Sequence, residues 1–349
     1  MKKKELLALA RNTNTSDLIR EASIIRDKGH GSLVTYSPKV FIPLTHLCRD
    51  VCHYCTFAKT PKRISSPYMS VEEVVDSAKR AEGLGCKEAL FTLGERPELR
   101  YSAARKALSN MGYTTTLEYL KVASQAVIDN TGLLPHLNPG CLSLKEIMEL
   151  RSISASMGMM LESSSKRLCE KGGPHYGSPD KDPKKRLATL DSAGKAKVPF
   201  TTGILIGIGE TRQERVESLI DIRKSHDKYG HIQEVIIQNF KPKQDTKMSD
   251  HAEPLTEDLL WTIAVARIIF GSSMSIQAPP NLSPDKLNLL IEAGINDWGG
   301  VSPITPDFVN PEAPWPHLDD LEKQTLLSGK NLAPRLTIYP SSVSYTHLT

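Results

Sequence analysis

No run of about 18 apolar residues occurs anywhere in the chain, which excludes a membrane-spanning helix. A dominant charge is also missing. Lys and Arg number 44 against 40 Asp and Glu, and the net +4 is too small to argue for nucleic acid. The amino terminus, MKKKELLALARN, is basic at its front but lacks both an apolar stretch of signal-peptide length and a small-residue cleavage site. Cysteines number six, and three of them crowd into residues 48–55, which does not suit a disulfide scaffold. That usage fits a reducing compartment, so the expectation is a cytoplasmic protein with neither nucleic acid nor membrane as partner. Cys86, Cys141 and Cys169 stand alone and read as packed thiols. A hydrophobic content of 39% with 24% charged residues describes a globular chain able to bury a substantial core. At 349 residues it could form two domains or a single (β/α)8 barrel.

The densest chemistry lies in VFIPLTHLCRDVCHYCTFA, Val40–Ala58, where Cys48, Cys52 and Cys55 follow an apolar run. Three thiolates on one short loop can hold three irons of a cubane and leave the fourth iron open, as an open position marks a catalytic metal. S-adenosylmethionine (SAM) can chelate such an iron through its amino and carboxylate groups. A reduced cluster can then pass one electron into the sulfonium, giving a 5'-deoxyadenosyl radical. Two other readings stand beside this one. Zinc would need a fourth ligand, which His46 or His53 could supply, although zinc sites more often show two C-x2-C pairs. Three unrelated buried thiols would not usually crowd beside charged Arg49 and Asp50.

Around this loop the pattern is one of alternation. Up to about Gly31 the chain reads as helical, with Ser16 or Asp17 as cap, and residues 1–31 are expected to pack against the barrel as an extension. Eight short β-rich runs come next: Val40–Thr45, Ala89–Leu93, Leu133–Asn138, Met157–Leu161, Phe200–Ile206, Glu234–Asn239, Met274–Ala278 and a weak one near Ile295–Trp298. Amphipathic stretches separate them, at Val71–Leu84, Thr115–Asp129, Leu144–Ile153, Pro183–Ala193, Arg212–Lys228, Thr256–Phe270 and Pro284–Ala293. Start signals precede several, such as Ser70, Asp182 and Ser283. Eight strands in strict alternation predict an α/β fold of the (β/α)8 TIM-barrel type over residues 32–342, with its site at the strand C-termini. An open doubly wound sheet is the competing architecture.

Strand ends carry the remaining signals. In TLGERPE, Gly94 lets backbone approach a ligand and Glu95 could accept from an ammonium group, or the pair is a turn and a solvated carboxylate. In LESSS, Glu162, Ser163 and Ser164 could bond ribose hydroxyls, or the serines cap a helix. TTGILIGIGET interrupts an apolar strand at Gly203, Gly207 and Gly209, with spacing wrong for a dinucleotide fingerprint. A strand edge lying flat against an adenine ring suits it better. Thr211 and Glu214 then form a capping-box pattern. Arg186 could grip a carboxylate or lie at the surface.

Taken together, the triplet with Tyr54 before its last cysteine, the Gly94–Glu95 turn, LESSS, Arg186 and GILIGIGE resemble the radical SAM superfamily, in its biotin-synthase-like branch. The resemblance implies that Cys48, Cys52 and Cys55 bind a [4Fe-4S] cluster whose fourth iron takes SAM. It implies that Tyr54, Gly94, Glu95, Glu162, Ser164, Arg186, Gly203 and Gly207 hold the SAM. Glu95 would meet the methionine amino group, Arg186 its carboxylate, and the glycine-rich strand the adenine. Leu205 stands where isoleucine is usual. Longer phrases, among them GGPHYGSPDKDP, EVIIQNFKPK, IQAPPNLSP and GINDWGGVSPITPDFVNPEAPWPH, resemble the FO synthase family in its 7,8-didemethyl-8-hydroxy-5-deazariboflavin synthase subunits. That resemblance spans about residues 32–317. It implies a lyase-type ring closure in coenzyme F(420) biosynthesis. Hydrogen abstraction from 5-amino-5-(4-hydroxybenzyl)-6-(D-ribitylimino)-5,6-dihydrouracil would lead to cyclisation and loss of ammonia. A companion radical SAM subunit would supply that adduct, and a reductant such as ferredoxin or flavodoxin the electron.

A polyol-bearing uracil with a phenol asks for amide and hydroxyl partners and an aromatic wall. His136, Asn138, Gln238, Asn239, Asn281 and Trp298, all at or after strand ends, are the candidates. His175 and Tyr176 in GGPHYG are candidates for proton transfer. Two function classes remain beside this reading. One is another biotin-synthase-like reaction, such as sulfur insertion or a tyrosine lyase; the other is a non-catalytic iron–sulfur or zinc protein. The last residues, VSYTHLT at 343–349, read like a translated transposon-end sequencing adaptor, so the natural chain is expected to differ past about Ser342.

Overall fold

In the computed structural model, which describes residues 3–345, the apolar runs become parallel strands that close on themselves. The strands are β1 (Leu33–Pro43), β2 (Glu88–Thr92), β3 (Leu134–Asn138), β4 (Ser156–Gly158), β5 (Phe200–Ile206), β6 (Ile232–Asn239), β7 (Ser275–Gln277), β8 (Asp297–Val301) and β9 (Asn331–Pro334). The helices are α1 (Lys3–Ala8), α2 (Thr15–His30), α3 (Val71–Gly83), α4 (Ser102–Asn110), α5 (Thr116–Asn130), α6 (Leu144–Arg151), α7 (Pro183–Lys195), α8 (Arg212–Tyr229), α9 (Thr256–Phe270), α10 (Leu287–Glu292) and α11 (Leu318–Leu327). Each of β1 to β7 pairs in parallel with the next, and β8 returns to β1, so the ring is closed and an open sheet is excluded. Of the 343–349 stretch, residues 346–349 lie outside the described residues.

Sequence dictates most of these elements locally. β5 is buried at every residue, which suits a stretch of apolar residues, threonines and one glycine with no charge. Capping boxes open α3 (Ser70 with Glu73) and α8 (Thr211 with Glu214), and Asp182 caps α7 ahead of Pro183. Other boundaries moved for tertiary reasons. β1 begins at Leu33, well before the expected Val40, because Leu33–Tyr36 pairs with β9 while Lys39–Pro43 pairs with β2. β4 shrinks to three residues, and the eighth strand runs to Val301 rather than ending at Trp298. Asn14, not Ser16 or Asp17, caps α2, accepting from the Asp17 N–H. Ser283 makes no side-chain cap, and the helix expected at Pro284 opens as a 3-10 turn before α10. α4 and α11 were not anticipated, since neither carries an apolar run of its own.

α2 lies along α9, tied by Thr15 Oγ1 to Glu257 Oε1 (2.9 Å), and a Cβ on Gly29 would sit 1.8 Å from the Ser272 carbonyl oxygen. At the opposite end of the chain, the segment after β9 closes the floor of the barrel, where the strands begin. Arg335 donates to Asp297 (2.6 and 3.0 Å) and to Glu234 (2.9 Å), and the Tyr339 hydroxyl also donates to Glu234. Thr337 meets Ser156 (3.0 Å) and accepts from Gln233. Asp297 and Glu234 are both buried; Arg335 holds Asp297 below the ordinary carboxylate range against burial, whereas burial and the neighbouring Asp297 push Glu234 up to about 7. Arg335→Ala is expected to cost about 3 kcal/mol or more, because it leaves the buried Asp297 carboxylate without its cation. The check is the urea midpoint, and an unchanged midpoint would mean the floor is held by other contacts.

Candidate active site

β1 runs into the cysteine loop, and its neighbours in the ring hold that loop in place. Thr45 Oγ1 accepts from Leu47 N–H and donates to the Pro67 carbonyl, and Lys59 N–H returns to the His46 carbonyl. β2 ends in the Gly94–Glu95 turn, which lies directly on the loop. A Cβ on Gly94 would be 1.9 Å from Leu47 O and 2.9 Å from Cys48 Cα, so only glycine allows this contact. Glu95 N–H points at Cys48 Sγ (3.2 Å), while Arg49 N–H donates to the Glu95 carbonyl (2.8 Å). Residues 174–180 cover the other side, with His53 N–H on Pro174 O, Val51 N–H on Ser178 Oγ, and Arg49 Nε on Asp180 (2.7 Å).

Behind Cys48, the carboxylates of Asp50, Glu95 and Asp180 offer oxygens that lie within 4.8 Å of one another. Burial pushes the Glu95 carboxyl up to about 7, with Asp180 and Asp50 adding to the push and Arg186 (3.7 Å) pulling the other way. Glu95 is fixed from β3 as well: Cys141 N–H donates to it (2.7 Å), and Gly140 (φ 89°) leaves the room its carboxylate needs. Burial also raises the Cys48 and Cys52 thiols, the latter to about 12, so both are protonated until a metal displaces the protons.

A cavity of about 360 Å³ opens from this loop down through the barrel to its floor. Cys48, Cys52, Cys55, Tyr54, Gly94, Glu95, Glu162 and Arg186 line its upper part. His136, Asn138, Gln238 and Asn239 line it as well. Glu162 takes a left-handed backbone (φ 64°), a strained state for a non-glycine residue, and pairs with buried Lys181 at 2.6 Å. Tyr54 shares a 3.0 Å hydrogen bond with buried His175, whose pKa burial and the charges of Lys181 and Arg186 push down to about 2. An aromatic wall is present in Phe41 stacked on Trp315 (centroids 5.2 Å apart).

Other expected site residues turn elsewhere. Ser164 spends its N–H and hydroxyl on Ser218 in α8 and does not reach the cavity. Trp298 alternates with inward Asp297, so it points out of the barrel, fully buried, with Nε1 on Thr325 of α11. Asn281 braces the 302–315 loop instead of forming wall, donating to Asp307 Oδ2 (3.0 Å) and Ala313 O (2.9 Å). Gly203 and Gly207 serve packing: a Cβ would meet Ile236 O at 2.2 Å in the first and Pro254 in the second. His175 lies behind Tyr54, outside the cavity wall, and Tyr176 is about half exposed at the surface.

Sequence reading missed the charged lumen of Lys39, Glu88, Lys181, Glu234 and Arg335, together with Lys243. A signal existed, since Lys39, Glu88, Glu234 and Asp297 each stand before apolar or aromatic strand residues. Burial alone would raise the Glu88 carboxyl, but the Lys39 ammonium at 2.7 Å and the fields of His136 and Arg335 hold it at about 2.

Fold and site together define a radical SAM barrel, and residues 42–222 match the radical SAM superfamily. Over 350 aligned residues the chain is 52% identical to the FO synthase of Mycobacterium tuberculosis (strain H37Rv), covering 96% of this chain and 41% of that protein. It is 51% identical over 311 residues to the 7,8-didemethyl-8-hydroxy-5-deazariboflavin synthase of Methanopyrus kandleri, covering 89% of this chain and 93% of that one. The chain thus spans about two fifths of the FO synthases it matches. Among solved structures, the hydrogenase maturase HydG from Carboxydothermus hydrogenoformans superposes with a TM-score of 0.77 at 19% identity, covering 97% of this chain and 77% of that one. Methylornithine synthase gives 0.73 at 18%, covering 95% and 94%, and both share the barrel. The chain belongs to the radical SAM superfamily and, within it, to the family of the FO and 7,8-didemethyl-8-hydroxy-5-deazariboflavin synthases.

Membership implies an enzyme with a [4Fe-4S] cluster, SAM and a small-molecule substrate. The donor set agrees with a cluster. A single zinc holds its thiolates about 3.8 Å apart, yet the Sγ atoms of Cys48, Cys52 and Cys55 do not all lie within 4.8 Å of one another. Nor is a histidine poised as fourth ligand. Among the described residues, neither His46 nor His53 joins two of these cysteines in a group whose ligand atoms all lie within 4.8 Å of one another.

This geometry sets two expected outcomes. Gly94→Ala should cost about 1–3 kcal/mol through the clash with Leu47, and after reconstitution should retain much less iron than the parent; equal iron would show that the turn does not position the loop. His136 is held neutral by burial, with a folded pKa of about 4 against 6.5 ordinarily. As pH falls the unfolded chain takes up the proton first, so stability should decline from about pH 6.5 to about 4, by about 3 kcal/mol from this group. Melting curves across that window should flatten in part in His136→Gln.

Proposed function

We propose that this chain forms the deazaflavin FO from 5-amino-5-(4-hydroxybenzyl)-6-(D-ribitylimino)-5,6-dihydrouracil, as a radical SAM lyase of coenzyme F(420) biosynthesis. One observation carries the reading: three thiols on one loop open into a deep cavity that offers both amide groups and an aromatic wall. Nearly full-length likeness to the Methanopyrus kandleri synthase supports it.

Cys48, Cys52 and Cys55 would hold the cluster, which when bound to SAM and reduced supplies a 5'-deoxyadenosyl radical. The remaining work falls to the chain. Glu95, with its pKa near 7, would meet the SAM ammonium group, whose charge favours the ionised carboxylate. Arg186 stands beside it for the SAM carboxylate. Glu162 is pre-oriented by Lys181 to accept from hydroxyls. Tyr54, buried beside the cysteine loop, is pinned by its hydrogen bond with His175.

Opposite, Phe41 and Trp315 provide a stacking face for the phenol and the pyrimidine ring. Asn138, Gln238 and Asn239 would bond the ribityl and imide groups. Neutral His136, fixed between Ser156 and Asn138, would donate or accept without adding charge. The companion radical SAM subunit supplies the adduct, an acidic electron carrier such as ferredoxin or flavodoxin the electron, and the reaction belongs to the cytoplasm. Among the described residues, no helix is long and apolar enough to cross a membrane.

Anaerobic reconstitution should give about four irons per chain, and reduction with SAM should release 5'-deoxyadenosine. Adding the adduct should yield fluorescent FO. Cys55→Ala should abolish both products. Bound zinc, or FO-free turnover of the adduct, would sink the assignment. Asn239→Ala with unchanged turnover at limiting adduct would remove that residue from the wall.

A further inference from the structure

Six cations line the cavity, and five of them have a carboxylate within reach. Lys39 pairs with Glu88 (2.7 Å), Lys181 with Glu162 (2.6 Å), Arg186 with Glu95 (3.7 Å), Lys241 with Glu253 (2.6 Å), and Arg335 with Asp297 and Glu234. Lys243 is the exception. It is 8% exposed, faces the cavity from the loop after β6, and among the described residues has no carboxylate oxygen within 4.0 Å of its ammonium. Glu312, Cys55, Asp307 and Glu162 act on it only through their fields, and burial leaves its pKa below the ordinary value. Asp307, the acid of the facing loop, is already committed to Asn281, Asn310 and the Val309 N–H.

An unpaired buried ammonium costs several kcal/mol, so an acceptor that arrives with a ligand is the physical reason to look for. The two halves of the barrel divide the candidates. Gly94, Glu95, Glu162 and Arg186, the groups suited to SAM, come from the turn after β2, from the segment after β4 and from α7. Lys243 comes from the β6 side and faces the 302–315 loop, which carries Trp315 of the aromatic wall. We propose that Lys243 is a specificity-determining residue whose ammonium donates to a carbonyl or phenolic oxygen of the aromatic, pyrimidinedione-bearing substrate. The assignment rests on the function proposed above. It adds a charged contact to the neutral amides and places the heterocycle between Lys243 and the Phe41–Trp315 pair.

The test measures binding without turnover. Adduct is titrated into anaerobic, unreduced, reconstituted enzyme, followed by tryptophan fluorescence and by calorimetry, with SAM titrated separately. Lys243→Met should weaken adduct binding by about tenfold or more, with Lys243→Arg recovering part of the loss. SAM affinity and iron content should change less than twofold in both variants. Ligand-free Lys243→Met should melt no lower than the parent, since it removes an unpaired buried charge. Unchanged adduct affinity would overturn the inference. So would an equal loss of SAM affinity, or a shifted cluster potential with adduct binding intact, because either places the ammonium on the cofactor. Failure of the parent enzyme to bind the adduct at all would instead overturn the functional reading on which this rests.

Discussion

The site depends on one close approach, that of the Gly94–Glu95 turn to the cysteine loop. Because Gly94 lacks a Cβ, backbone meets backbone, and the Glu95 N–H reaches Cys48 Sγ. The Glu95 carboxylate is in turn fixed by Cys141 from the loop after β3 and by Arg186 from α7. Three separate parts of the chain therefore converge on a single residue. The direct parallel pairing of β1 with β2 makes this possible, since it places their C-terminal loops side by side.

A barrel interior of this type is ordinarily filled by layers of branched apolar side chains. Here the lumen is polar and partly empty, with ion pairs linking neighbouring strands and the segment after β9. Such pairs add little net stability against well-packed apolar residues, but each becomes indispensable to its partner once both are buried. The arrangement exchanges packing for a cavity, and the apolar core is displaced outward between strands and helices, where Trp261 and Trp298 are fully buried. Arg335 shows how far this extends: a residue of the segment after β9 donates to Asp297 and Glu234 on two different strands.

Much of this could be read from the residues alone, wherever the cause was local. Phe200–Ile206 is rich in β-formers without a charge and became a fully buried strand; Thr256–Phe270 became a helix over the expected span. Ser70–Glu73 and Thr211–Glu214 capped their helices because the capping box needs only four consecutive residues. The cysteine spacing needs one loop. Ser164, Asn281 and Trp298 lie off the cavity wall, because a residue's place at a strand end does not say which way its side chain turns. That depends on parity along the strand and on the partner the next element supplies, Ser218, Asp307 and Thr325 in these cases.

By itself, then, the sequence determined the alternation of strands and helices, the thiol triplet and the family, since each is written in contiguous residues and short-range physics. Only the tertiary structure decided which charges face the lumen and which partners they find there. Lys39 with Glu88, Lys181 with Glu162, and Arg335 with Asp297 are distant along the chain or unmarked by any motif. The same holds for the solitary position of Lys243. Charge pairing in a closed barrel is set by distances through space, and these exist only once the ring has closed.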